Sequence, residues 1–548
     1  MKPSAPALLL VLAALVYLNI LPNDFVQDDF YYIVNNRQIQ EAPWRLLVEE
    51  HENSRVYRPV AMLSFALEYQ LAGLRPWVFH FDNLLLHALV SALLFVVLRD
   101  LLARPRLAFA AAALFAVHPI HTEAVAQAVG RTELLAALFL LLAWRAHLQD
   151  RWWIAAPCAL AAMLAKESAI GFLALAAIAD YAVGRELRPR WPAYAAYTAV
   201  SAIFLVALAQ SQGFQRELIP KIDNPLAALP AGWRIVNALR VAAKYVALQC
   251  WPATLSSDYS YNVIPVTAEW SDALPALLAA LAVAGAWLWS VWRRGAAPAV
   301  SGAIYLTGFA AAANVIVPIG TMMGERLAYW PSAGFCLLAA LLWDKLAARQ
   351  ATAAWAVLAV ACAALGARTV MRNRDWRNEF TLFQSAVAAA PASAKAQHNL
   401  GVQYSNRGDF ARAVELFQAA LRIEPEYADA RAALGFATYR TGRKEEGLAW
   451  MEQAFRSSGP DNPHYALIAV NYAAALVESS RHAEALPILS YAITVSPRYS
   501  RAYSNRAVIQ LAAGRRDAAR ADAEAALRLD EGNTQARGVL ARLAGPLR

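Results

Sequence analysis

Cysteine is scarce in this chain: Cys158, Cys250, Cys336 and Cys362 are the four among 548 residues. Three lie inside apolar runs, Cys250 ends one, and none has metal-ligand spacing. A disulfide framework is therefore excluded as the organising principle, and they read as small buried hydrophobes. A small-residue cleavage site is also missing ahead of Asp28. Lys2 followed by the apolar stretch 7–20 is accordingly read as an uncleaved first helix rather than a signal peptide. Polar balance of the soluble kind is scarce before residue 370, where the apolar excess is concentrated and one apolar run follows another.

What is present is apolar residue in excess. The chain is 59% hydrophobic, against about 45–50% for soluble domains. Mean hydropathy is +0.34. Runs long enough for a bilayer helix recur before residue 370, and the residues after 390 have the balance of a soluble helical domain. The fold class expected is all-α: a polytopic membrane helix bundle followed by a helical repeat solenoid. Spans are expected near 5–22, 81–98, 107–118, 132–148, 152–165, 168–183, 193–210, 272–292, 299–317, 327–343 and 351–368.

With the N-terminus inside, the loops 99–106, 145–151, 185–190, 293–294 and 345–349 all face the cytoplasm. All are short and basic, as the positive-inside rule requires. The net charge of +9 thus needs no nucleic-acid partner. The stretch 233–251 is apolar but carries Arg234, Arg240 and Lys244, and it is read as an amphipathic helix on the outer surface.

That parity gathers Asp28, Asp29, Arg58, His80, His118, His121, Glu123, Arg131, Glu133, Lys166, Glu167, Asp258, Glu325 and Arg326 on the outer face. Outer loops contain charges in any case. Lys166–Glu167 between two short apolar helices, and Glu325–Arg326 in a tight connection, point further, to a polar cavity that opens outward. Asp28 and Asp29 stand out within it. Paired carboxylates at a membrane face are costly, and one can act as a general base while the other positions a group.

Residues 394–533 repeat as units 394–427, 428–461, 466–499 and 500–533, the spacing and small-residue pattern of the tetratricopeptide (TPR) helix pair. Residues 1–370 are assigned to the membrane domain, 371–393 to a linker with half a repeat, and 394–548 to the repeat domain. Asn399, Asn471 and Asn505 share one place in three units. Either they form a row that binds an extended acceptor peptide through its backbone, or asparagine is simply common at that place.

The stretches FVQDDF (25–30), YRPVAMLSFALEYQL (57–71), HPIHTEAVAQAVGRTELL (118–135), LAKESAI (164–170), LSSDYSYNVIPV (255–266) and GERLAYWPSAGFCLL (324–338), joined to the repeats, complete a recognisable set. The sequence resembles the transmembrane and tetratricopeptide-repeat O-mannosyltransferases, a family of the GT-C glycosyltransferase fold. The resemblance implies a lipid-linked monosaccharide donor, Ser or Thr hydroxyls as acceptors on the non-cytoplasmic side, and an essential acidic pair, here Asp28 and Asp29. The Ala- and Arg-rich composition and short repeat tail look bacterial. The expected donor is then a polyprenyl phosphate carrying mannose or another hexose, at the inner membrane, with the repeats periplasmic.

Within that reading either Asp28 or Asp29 is the base. Arg58, Arg131, Lys166 and Arg326 are the candidates to receive the leaving phosphate. His118, His121, Glu123, Glu133, Glu167, Asp258, Tyr259 and Glu325 are assigned to cavity walls and sugar contacts. Two imidazoles and a carboxylate in HPIHTE suggest zinc, but the i, i+4 histidine spacing is missing, and no metal or other cofactor is expected. Two competing readings are a polysaccharide or O-antigen ligase or polymerase, and a non-enzymatic repeat scaffold. The acidic pair argues against the first, and the number of spans against the second.

Overall fold

The computed structural model describes residues 4–41, 57–212, 219–293, 295–459, 462 and 464–544. The chain divides into two compact units, Met1–Ala390 and Pro391–Arg548. Helices and turns make up both, with no strand among the described residues.

Four helices in the first unit are long and apolar enough to cross a bilayer: Pro76–Leu102, Arg188–Ser211, Trp270–Trp292 and Ala351–Arg377. A fifth candidate is bent by 51° between Pro105–Val117 and Pro119–Ala126. The other six expected spans are helices of 11 to 18 residues. A polar motif separates two of them. Trp152–Ala165 gives way at Lys166, whose backbone is extended, and Phe172–Ala182 starts only beyond a single-turn helix that begins at Glu167.

The expected helix over 299–317 ends at Phe309. Asn314 is the reason. It adopts φ 58, accepts from the Ile319 amide at 2.9 Å, and donates to the Thr321 and Met322 carbonyls. A short polar side chain that tolerates the left-handed region makes a loop out of an apolar sequence. The stretch 233–251 is found as the helix Ala231–Cys250. Its buried residues Val236, Val241, Tyr245 and Leu248 form one stripe, as an amphipathic reading requires.

The bundle interior is built from small residues. Ala110, Ala111, Ala112 and Ala113 of Pro105–Val117 are all buried, which lets neighbouring backbones approach. A Cβ added at Gly334 would meet the Ser301 carbonyl oxygen at 2.4 Å, so Ala296–Phe309 and Pro331–Ala347 cross at a point that admits only glycine. By contrast Trp270–Trp292 turns Leu274, Leu278, Leu281 and Trp289 outward, each more than half exposed. A surface this apolar is stable against hydrocarbon and unfavourable in water.

The second unit is a series of helix pairs from Ala394–Asn406 to Thr534–Ala544. Ser393 and Asp409 cap the first two helices through their side chains. Gly401 and Gly435 lie where the paired helices touch. An added Cβ would fall 2.6 Å from Phe417 in one and 2.6 Å from Met451 in the other. The first helices of successive pairs pack on one another, and Asn399, Asn471 and Asn505, each half-buried, lie on three of them.

Candidate active site

The acidic pair follows a sharp turn. Gln27 adopts φ 49, and the Asp29 amide donates to the Val26 carbonyl at 3.0 Å. The turn splits the two carboxylates. Asp29 is fully buried and accepts backbone N–H groups from Val26 at 3.1 Å, Ala128 at 3.3 Å and Val129 at 2.8 Å. Burial pushes its carboxyl up to about 7, against the pull of those three amides. Asp29 is thus a clamp that ties its own loop to the turn 128–130. Gly130 closes that turn, because a Cβ there would lie 2.2 Å from the Ala124 carbonyl oxygen.

Asp28 points the other way. Its side chain is 42% exposed and meets Arg326 at 3.1 Å. Arg326 also reaches Glu123 at 3.2 Å and the Gln127 side-chain oxygen at 3.3 Å. Its backbone N–H donates to Glu123 at 3.0 Å. One guanidinium therefore joins the first loop, the bent-pair segment and the connection GERLAYWP. That connection is pinned in turn by Tyr245, whose hydroxyl donates to the Gly324 carbonyl at 2.9 Å and accepts from the Gly324 amide at 3.0 Å.

Arg58 and Glu167 form a two-pronged pair at 3.0 and 2.7 Å. Burial works against the Glu167 charge, but Arg58 overrides it and holds that carboxyl down at about 2. Lys166 pairs with Glu133, both buried. These groups feel one another's charge, Arg58 and Arg326 both acting on Lys166, so they form one electrostatic cluster with Asp28 and Glu123.

Three expected site residues lie elsewhere. Arg131 is buried inside the bundle, paired with Glu68 and hydrogen-bonded to Asn83 at 2.9 Å and the Phe79 carbonyl at 3.0 Å. All its donors face protein, so it is a packing arginine. His118 is buried against the Gln249 carbonyl at 2.9 Å, and His121 against the Ser332 hydroxyl at 2.6 Å. They brace the bend of the broken helix instead of lining a cavity. Tyr259 donates to Glu325 at 2.6 Å, and Asp258 accepts from Ser260 at 2.9 Å. These lie behind the Arg326 turn, where burial moves the Glu325 carboxyl up to about 7. Among the described residues no group of three or more His, Cys, Asp or Glu side chains is arranged to hold a metal ion.

Known protein families match parts of both units. A dolichyl-phosphate-mannose-protein mannosyltransferase family matches residues 58–210, and a tetratricopeptide repeat family matches 406–470 and 476–543. The human protein O-mannosyl-transferase TMTC3 is 28% identical over 94% of this chain and 63% of its own length. A Caenorhabditis elegans protein O-mannosyl-transferase, F38B6.6, is 30% identical over 77% of this chain and 63% of its own. The chain is a relative of the transmembrane and tetratricopeptide-repeat O-mannosyltransferases. It spans just under two thirds of the length of those O-mannosyltransferases. The mannosyltransferase match opens at Arg58, one partner of the Glu167 pair, and takes in Glu123, Glu133 and Lys166.

Sequence reasoning passed over Gln127, Tyr245 and Arg372. Gln127 and Tyr245 carry no charge and lie in apolar helical surroundings, so only their contacts mark them. Arg372 is hidden in a run of basic residues that reads as a solvated linker.

Proposed function

We propose that this protein transfers a hexose from a polyprenyl phosphate to Ser or Thr hydroxyls of proteins on the periplasmic side of the bacterial inner membrane. The observation that supports it best is the partly exposed Asp28 carboxylate held by Arg326 beside Glu123, with the buried Asp29 fixing the loop. Asp28 takes the proton of the acceptor hydroxyl. The hydroxyl oxygen bonds to the anomeric carbon as the bond from that carbon to the phosphate oxygen breaks. The polyprenyl phosphate leaves with the electron pair, and the anomeric centre inverts.

The departing phosphate needs cations in a site shielded from water. Arg326 stands next to the base, with Arg58 and Lys166 in the same cluster. No metal is required for a monophosphate to leave with this help. Phosphate arriving at Arg326 competes with Asp28 for the guanidinium, so donor binding frees the base when it is needed.

The repeats are assigned to acceptor capture, with Asn399, Asn471 and Asn505 donating and accepting along an extended peptide backbone. The triple variant with Ala at these places is expected to raise KM for a protein acceptor about 10-fold and leave kcat alone, the signature of lost uniform binding. Unchanged KM in the triple variant counts against the asparagine row.

The direct test is mass spectrometry of periplasmic proteins from cells with and without the gene. Hexose on Ser or Thr is expected to disappear from a subset of peptides when the gene is deleted. An unchanged protein glycan pattern with altered surface polysaccharide defeats this reading in favour of a polysaccharide ligase.

A further inference from the structure

We propose that Arg372 is a positioning residue for the transfer reaction, fixing the Glu325–Arg326 turn and the approach to the Asp28 loop against one another. The inference rests on the function proposed above.

Arg372 is fully buried near the end of the helix Ala351–Asn373. One of its terminal nitrogens binds Asp375 at 3.0 Å, and the other faces Glu325 at 3.7 Å. The opposite oxygen of Glu325 is fully occupied, accepting the Ser256 amide at 2.7 Å and the Tyr259 hydroxyl at 2.6 Å. The next residue along the chain is Arg326, which grips Asp28 and Glu123.

The same short segment also holds the chain that leads to the acidic pair. The Asn373 amide group donates to the Val16 carbonyl at 3.1 Å and the Asn19 side chain at 2.8 Å. The Asp24 amide donates to the Arg377 carbonyl at 2.9 Å. Both sides of the Asp28–Arg326 contact are therefore anchored within residues 370–377.

Stability alone is a poor account of Arg372. Its Nε and the nitrogen facing Glu325 have no hydrogen-bond partner, nor has the Glu325 oxygen opposite. A buried, incompletely bonded ion pair is commonly no better for stability than apolar side chains of the same volume. What it supplies is a fixed separation between two loops that carry reacting groups, and misplacement by about 1 Å can cost about 100-fold in rate.

The test uses full-length protein in nanodiscs, undecaprenyl phosphate mannose as donor and a Ser/Thr-rich peptide as acceptor, with wild type and Asp28→Asn as controls. Arg372→Met is expected to lower kcat per folded molecule about 100-fold with both KM values little changed. Arg372→Lys is expected to fall between it and wild type. The double variant Arg372→Met, Glu325→Gln removes both charges. It is expected to recover the thermal midpoint lost in Arg372→Met while kcat stays low. Recovery of kcat together with the midpoint means a merely structural role and overturns the proposal. So does wild-type kcat in Arg372→Met or Arg372→Lys when Asp28→Asn is inactive. An inactive wild type overturns the proposed function, and this inference with it.

Discussion

Asp28→Asn is expected to cut sugar transfer by about 1,000-fold, the central range for loss of a general base, while the thermal midpoint of the protein stays within a degree or so of wild type. The substitution keeps the shape of the side chain and removes its ability to hold a proton. Asp28 is partly exposed, and its contact in the folded protein is a single guanidinium that Glu123 and Gln127 also hold. Arg326 therefore stays in place when Asp28 is neutral. Donor KM is expected to fall, because the neutral amide no longer competes with the donor phosphate for Arg326. Initial rates with saturating donor and acceptor, set beside a melting curve of the same preparation, check both halves. Transfer at more than about a tenth of the wild-type rate would remove Asp28 from the role of base.

Asp29→Asn is expected to do the reverse: a clear loss of stability, with activity falling because the loop moves. The Asp29 carboxylate accepts three backbone N–H groups with two oxygens. An amide has one oxygen. Whichever way it is turned, a nitrogen meets an N–H and at least one buried donor loses its partner, at a cost of about 1–3 kcal/mol each. The pH dependence separates the two aspartates further. In the folded chain the Asp29 carboxyl titrates at about 7, above the ordinary value of 3.8 that it recovers on unfolding. Between those limits the folded form binds more protons than the unfolded form. Its contribution to stability is therefore present in full below about pH 4 and is lost as pH rises through 7. Melting curves from pH 4 to 8 are expected to show that decline in wild type and a shallower one in Asp29→Asn, where Glu325 still titrates in the same range. Equal slopes would mean that Asp29 is not the buried clamp described.

How much of this was legible beforehand differs from element to element. The repeat units were readable because small residues recur wherever two helices must touch, and Gly401 against Phe417 shows why the pattern is strict. The acidic pair was readable as chemistry, but the division of labour between Asp28 and Asp29 was not. It depends on the Gln27 turn and on amides a hundred positions away, and a one-dimensional pattern carries no sign of either. Histidines 118 and 121, expected to line a cavity, misled because polar residues gathered on one membrane face suggest a shared hollow. Their partners, a Gln249 carbonyl and the Ser332 hydroxyl, come from distant helices. Arg131 misled in the same way, its carboxylate partner Glu68 lying 63 residues earlier. The loop beyond Phe309 is the opposite case. Apolar composition outvoted a single asparagine whose side chain, once folded, sets the path of the chain.

The carboxylate of Asp29 reads nothing but main chain, so side-chain identity at 128 and 129 is irrelevant to it while their path in space is decisive. Anyone building chimeras with one of these relatives has to treat FVQDDF and the AVG turn at 128–130 as a single cassette. Transplanting either alone leaves two amides, or one anion, stranded in the interior.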